Sequence, residues 1–276
     1  MHQIKKICIA ATIVLILMAL IYALLIGPNR IDIKHIHIKD IALNRVLQGK
    51  TAVHLSDLHV KTIGEREEQL LKIIKDLHPD LIFLTGDYVK WKGNYEGALQ
   101  FLSRLDAPMG VWAVMGDYDY SSSSKSCLFC HEPVSGEPTA QHRVRFLRNT
   151  IVQAAFPNGE ACLGGIDPES SLNNVAGIPA SFLKDKTPAI ILSHSPLTFD
   201  SIDKDHDVLI LAGDTHGGQV PIPARFWQLV GYNKNAHYNH GFFQDGKKKM
   251  YVSRGIGTSH LPVRFLRPTE LVVLHF

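Results

Sequence analysis

Thr51-Ala-Val-His-Leu-Ser-Asp-Leu-His59 is a short apolar run that opens directly onto an acid and an imidazole. The pattern returns four times: residues 81–85 lead into Gly86-Asp87-Tyr88, 111–115 into Gly116-Asp117-Tyr118-Asp119, 189–192 into Ser193-His194-Ser195-Pro196, and 208–212 into Gly213-Asp214-Thr215-His216-Gly217-Gly218. Runs so short and so apolar are expected of strands buried on both faces. Helical patterns lie between them. Leu70, Leu71, Ile74 and Leu77 share one stripe within 67–77, which Pro79 stops, and Leu99, Leu102 and Leu105 share another within 95–105. Such alternation predicts a layered α/β sheet, whose ligands sit where strands end. An Asp after a strand is ordinarily a cap or turn residue, and a His there is ordinarily interior. Five together carry more weight. Neighbouring strand ends lie about 5 Å apart, so these side chains are expected on one rim, where their mutual repulsion calls for a cation.

The order Asp-x-His, Gly-Asp, Gly-Asn-His-Asp, His, Gly-His-x-His marks the calcineurin-like metallophosphoesterases. Asp57-Leu-His59, Gly86-Asp87, Gly116-Asp117-Tyr118-Asp119, His194 and Gly213-Asp214-Thr215-His216 resemble it at every station. The chain is most similar to the membrane-associated YkuE-like branch. Gly217-Gly-Gln-Val220, Tyr251-Val-Ser-Arg254-Gly-Ile-Gly257-Thr, Pro262-Val-Arg264-Phe and Pro268-Thr-Glu270 resemble that branch's closing segment. The resemblance covers residues 31–276 except the 120s and 130s. It implies a four-layer α/β/β/α sandwich and a binuclear metal-dependent phosphohydrolase acting on a phosphomonoester or phosphodiester/pyrophosphate bond. It also implies the ligands: Asp57, His59, Asp87 and His216 for a first metal, with Asp87 bridging to a second held also by Asp117, His194 and Asp214. Tyr118 and Asp119 would be the catalytic groups. Chemically, a water shared by two dications loses its proton near neutral pH and attacks phosphorus in line, so no Ser or Cys nucleophile is needed.

Three positions depart from the family pattern. Asp117 stands for its Asn and Asp214 for its first His, so the second centre becomes three carboxylates and one imidazole. That harder donor set favours Mn²⁺ or Fe over Zn²⁺. Four carboxylates balance two dications to about zero, where the family pattern leaves about +2, so the field on phosphate and on bound water is weaker. Tyr118 stands where the family has the His that steadies the leaving group. A phenol with a reference pKa of about 10 stays protonated at pH 7 and can still donate.

The 276 residues carry 29 Lys and Arg against 26 Asp and Glu, 45% apolar residues and four cysteines. These values exclude a disordered acidic tail, a collagen-like repeat and a disulfide-stapled toxin. No dense basic block is present, 247–249 reading as a hairpin turn, so nucleic acid is not an expected partner. Residues 7–26 are uncharged and reach about 30 Å as a helix, enough to span a bilayer. Residues 1–27 are therefore expected to form an uncleaved anchor and 28–276 the catalytic domain of a single-pass inner- or plasma-membrane protein. The Lys and Arg count flanking the span is nearly level; an extracytoplasmic domain is the expectation. Tethering puts lipid-linked substrates within reach, UDP-diacylglucosamine being the specific expectation by analogy with a relative.

Within an insert at 121–141, Cys127-Leu-Phe-Cys130-His131 matches the attachment pattern of c-type haem. A Cys127/Cys130 redox pair and a zinc knuckle with His131 and His142 are the alternatives. Haem supplies the alternative function, a non-hydrolytic membrane-anchored haem or metal protein on the same fold. His237 and His240 fall in a loop, 232–243, that could reach the site mouth, although solvated histidines are the expectation there. Phe226, Trp227, Phe242 and Phe243 are expected in the core rather than as a rim for an acyl chain. Arg254 and Arg264 either clamp phosphate or pair within the sheet. The slip between Ile31-Asp-Ile-Lys and Ile36-His-Ile-Lys predicts a β-bulge.

Overall fold

A computed structural model describes residues 2–120, 139, 141–168 and 187–276. Two six-stranded mixed sheets carry the fold. The first comprises β1 (Ile31–His37), β2 (Thr51–Leu55), β3 (Leu81–Thr85), β4 (Val111–Val114), β5 (Val144–Phe146) and β12 (Thr269–His275), ordered β1-β12-β2-β3-β4-β5. The second comprises β6 (Thr150–Phe156), β7 (Gly159–Ile166), β8 (Ala189–Ser193), β9 (Val208–Ala212), β10 (Gly241–Asp245) and β11 (Lys248–Val252), ordered β10-β11-β9-β8-β7-β6. Strands β2 to β5 run parallel in one sheet, and β7, β8, β9 and β11 run parallel in the other.

The apolar runs have a physical reason. Leu81 and Phe83 point into the core between the sheets with Ile190, Leu192, Leu209 and Leu211. Ile82 and Leu84 point the other way, against Leu70, Leu71 and Ile74 of α3 (Glu65–Leu77) and Phe101 and Leu102 of α4 (Glu96–Leu102). Ile191, Val208 and Ile210 form a third core with Phe199 of α6 (Thr198–Ser201). Every second residue thus faces a different apolar layer, which gives the α/β/β/α sandwich. Each such side chain contributes about 1.5–3 kcal/mol on burial. The Glu67 carboxylate accepts the Gly64 N–H at 3.0 Å to start α3, and left-handed His78 ends it before Pro79.

The bulge expected in β1 does not form: Ile31 to His37 pair residue for residue with Thr269 to His275. β1 is an edge strand with Ile33, Lys34 and His35 exposed, so no buried face enforced strict alternation there. Of the expected 247–249 turn only Lys247 lies in the connection from β10 to β11; Lys248 and Lys249 already pair within β11.

At the amino end α1 (His2–Ile21) continues through a π-helical turn, Tyr22–Ile26, and a 3-10 turn, Gly27–Asn29. The 28 residues His2–Asn29 are long and apolar enough to cross a membrane. The base of this helix is packed into the domain. The Arg264 N–H donates to the Ala23 carbonyl at 2.9 Å, the Tyr22 and Phe265 rings meet edge to face, and Gly27 lies so close to the Arg264 carbonyl that a Cβ would sit 2.0 Å from it.

Candidate metal centre

The strand ends converge, but on the facing rims of two sheets rather than along one. β2, β3 and β4 deliver Asp57, His59, Asp87 and Asp117; β8 and β9 deliver His194, Asp214 and His216. Three groups have ligand atoms within 4.8 Å of one another: Asp57, His59 and His216; Asp57, Asp87 and His194; Asp117, His194 and Asp214. All seven expected ligands therefore meet in one continuous cluster. Asp57, His59, Asp87, Asp214 and His216 all have φ between 47° and 72°, the left-handed region that non-glycine residues seldom enter. Strain concentrated on ligand-bearing residues is the pattern of a functional site. Glycines permit the close packing around it. A Cβ on Gly116 would lie 2.2 Å from Asp87 N and Oδ1, and one on Gly213 would lie 1.7 Å from Ser56 Oγ.

Hydrogen bonds orient the imidazoles. His59 Nδ1 donates to the Val89 carbonyl at 3.2 Å, turning Nε2 toward Asp87 Oδ2 at 3.5 Å and His216 Nε2 at 3.2 Å. His194 Nδ1 donates to the Thr85 carbonyl at 2.8 Å, which leaves Nε2 facing Asp87 Oδ1 at 3.5 Å and Asp214 Oδ1 at 3.9 Å. That buried nitrogen has no hydrogen-bond partner. Burial holds the His59 and His216 imidazoles well below the ordinary histidine range. Burial also pushes the Asp57 carboxyl up to about 6 and the Asp87 carboxyl well above the carboxylate range, nearby carboxylates adding to both. For His194 burial acts downward, but Asp87, Asp214, Asp117 and Asp57 outweigh it and push the imidazolium up to about 10. Buried carboxylates pressed together and imidazole nitrogens turned inward are the donor chemistry of a divalent cation site. Asp57, His59 and His216 fit one such ion, with Asp87 Oδ2 alongside at 3.5 Å from His59 Nε2.

The remaining expectations divide. The Tyr118 N–H donates to Asp87 Oδ1 at 2.9 Å, its ring stands edge-on to His59 at 5.0 Å, and its hydroxyl lies 3.4 Å from His260 Nδ1. Burial, followed by the Asp87, Asp117 and Asp214 carboxylates, raises its pKa, so the phenol keeps its proton. Asp119, expected among the catalytic groups, is buried and committed to backbone amides. Its oxygens accept backbone N–H groups from Gly116, Asp87, Tyr88 and Val89 at 2.8–3.2 Å, pinning one ligand loop to the next. Arg254 pairs with Glu270 and Asp32. Arg264 is wholly buried; its guanidinium donates to the carbonyls of Arg254, Gly255, Gly257 and Arg267 and lies 3.4 Å from His216 Nδ1. Structural pairing holds for both arginines, and neither fork is open to a phosphate. Phe226 and Phe242 are about half exposed rather than in the core, at 47% and 46%. Cys127, Cys130 and His131 lie outside the described residues, as does most of the insert.

Three contributors carried no sequence signal. Trp91 and His260 meet edge to face at 4.5 Å, and each also meets the Tyr118 ring edge to face. The third is Lys234 of α8 (Asn233–His237), whose ammonium contacts Asp214 Oδ2 and lies 3.8 Å from Asp117 Oδ2. The loop around residue 232 does reach the site, but through this lysine rather than through His237 or His240.

The calcineurin-like phosphoesterase family model matches residues 50–218. That segment begins just before β2 and ends with the turn bearing His216. Among similar proteins, the uncharacterized metallophosphoesterase YkuE of Bacillus subtilis is 27% identical over 91% of this chain and 87% of its own length. YkoQ of the same organism, also an uncharacterized metallophosphoesterase, is 30% identical over 77% of this chain and 78% of its own. The UDP-2,3-diacylglucosamine pyrophosphatase LpxG of Chlamydia muridarum is 26% identical over 83% and 84%. With its candidate ligand residues inside the matched segment and its sheets in the expected layers, the chain belongs to the calcineurin-like phosphoesterases, in the branch typified by YkuE.

Proposed function

We propose that this metal-dependent phosphohydrolase is held at a membrane by its amino-terminal helix and cleaves a phosphodiester or pyrophosphate bond in a lipid-linked substrate. The supporting observation is the buried convergence of Asp57, His59 and His216, with Asp87 beside them, from the ends of three strands. These four would hold a divalent ion, which when bound supplies Lewis-acid charge and an activated water. Carboxylates forming half of the set favour Mn²⁺ or Fe. Around that ion the chain contributes three things. Asp119 fixes the loops that bear Asp87 and Tyr118. Tyr118, its ring against His59 and its protonated hydroxyl beside His260, is the candidate donor to the departing oxygen. Trp91 and His260 pack against the Tyr118 ring and fix its position.

Two observations support a lipid-linked substrate. The base of the amino-terminal helix and His216 are joined through Arg264, and large apolar side chains stand exposed nearby, Leu261 and Leu266 on that segment and Phe226 on α7 (Ala224–Leu229). The similarity to a UDP-2,3-diacylglucosamine pyrophosphatase points to the same chemical class. The packing of residues 22–29 into the domain argues for an uncleaved anchor, since cleavage would strip a face of the fold.

The test is turnover by the full chain in detergent, with Mn²⁺, Fe²⁺ or Zn²⁺, of bis-p-nitrophenyl phosphate and of a lipid-linked pyrophosphate. Hydrolysis lost on chelation and in Asp87→Asn supports the proposal. Absence of turnover with every metal, or turnover indifferent to chelation, overturns it.

A further inference from the structure

The two positions at which the ligand pattern departs from the family, Asp117 and Asp214, are the two that face Lys234. Its ammonium touches Asp214 Oδ2 and lies 3.8 Å from Asp117 Oδ2, and those two carboxylates with His194 form one donor group within 4.8 Å. Asn and His are neutral donors suited to a dication; a carboxylate pair suits an ammonium, which offers three N–H groups and no lone pair. Replacing both neutral donors by Asp adds two negative charges, and Lys234 returns one positive charge to the same spot. The lysine is not a stray surface group. Its side chain is 25% exposed, and Asp214 and Asp117 outweigh the effect of burial to keep it protonated. Its helix is fastened to the ligand turn: Asn235 Nδ2 donates to the Thr215 carbonyl at 3.0 Å, and the Thr215 hydroxyl donates to the Asn239 carbonyl. A divalent ion bound by Asp117 and Asp214 would compete with the ammonium for the same oxygens and be repelled by it.

We propose that the Lys234 ammonium is the second cation of this centre, so that each chain takes a single divalent ion, at Asp57, His59, Asp87 and His216, and the lysine supplies the other positive charge facing the phosphoryl group. This rests on the metal-centre reading above. It changes the chemistry from two metals sharing a water to one metal beside a fixed organic cation, a lower total charge on a carboxylate-rich site.

The test counts metal rather than activity. Full-length protein is dialysed against excess Mn²⁺ and analysed by elemental analysis and electron paramagnetic resonance. The expected result for the unaltered chain is one Mn²⁺ per chain with the six-line signal of an isolated ion. Lys234→Ala, which opens three carboxylates and an imidazole, is expected to take two and to show an exchange-coupled signal. Lys234→Arg, which keeps a cation, is expected to stay at one. Two ions in the unaltered chain, or one in Lys234→Ala as well, overturns the proposal. If Lys234→Ala does not fold, the unaltered chain and Lys234→Arg still decide it. Two ions with full turnover would remove this inference and leave the proposed function standing; one ion without turnover would do the reverse; no ion removes both.

Discussion

The Nε2 atoms of His59 and His216 face each other at 3.2 Å, their rings stacked with planes 17° apart. With His59 Nδ1 committed to the Val89 carbonyl, the His59 Nε2 is a lone pair directed at its neighbour. Burial holds both imidazoles neutral; the Arg264 guanidinium against His216 Nδ1 leaves that ring's proton on Nε2, facing His59, so a metal at His216 Nε2 has to displace it.

The acid limb of metal binding therefore belongs to the carboxylates. The metal-free Asp57 carboxyl titrates at about 6, raised chiefly by burial, so below that pH an entering ion must displace its proton. Mn²⁺ affinity, measured by calorimetry, is expected to fall as pH drops through about 6, and the proton held by the raised Asp87 carboxyl adds to the same dependence. An affinity that rises on acidification would contradict the assignment.

Tyr118→Phe removes a hydroxyl and little else. General-acid help is worth about 10²-fold or more, so kcat for an alkyl phosphodiester is expected to fall by about that factor with KM unchanged. A nitrophenyl ester, whose leaving group needs no proton, should be affected far less. Equal losses on both substrates would place the hydroxyl in binding rather than proton donation.

Asp119→Asn tests the loop fastening. The amide puts N–H groups against backbone N–H donors that the carboxylate had satisfied at 2.8 and 3.0 Å. An unsatisfied buried group costs about 1–3 kcal/mol, so a loss of about 3 kcal/mol in denaturant unfolding is expected, with metal affinity falling alongside. Unchanged stability with lost turnover would instead mark Asp119 as a group acting on substrate.

Arg264→Lys keeps the charge and loses the planar fork. A compact ammonium cannot serve the carbonyls of Arg254, Gly255 and Gly257 together, so destabilisation by about 2 kcal/mol and weaker metal binding are expected. Normal stability with a raised KM would restore the phosphate-clamp reading.

The strands that build the site were legible because burial on both faces makes them uninterrupted apolar runs, and each breaks off at a polar turn such as Ser56-Asp57. The layers followed from that alternation. The hairpin of β6 and β7 was harder to see, since Gly164 and Gly165 dilute its apolar pattern where side chains of Ile151 and Leu147 leave no room for a Cβ. Asp119 shows a different limit: its residue type is equally suited to chemistry and to accepting backbone amides, and only geometry separates the two. Lys234 had no signature at all, because a lone lysine in a polar helix reads as solvated until its partners 20 and 117 residues earlier are folded against it.

Arg264 reaches His216 with its side chain and the Ala23 carbonyl with its main chain, so one residue ties the ligand cluster to the foot of the amino-terminal helix. The cluster therefore cannot shift relative to the foot of that helix without giving up one of these two contacts.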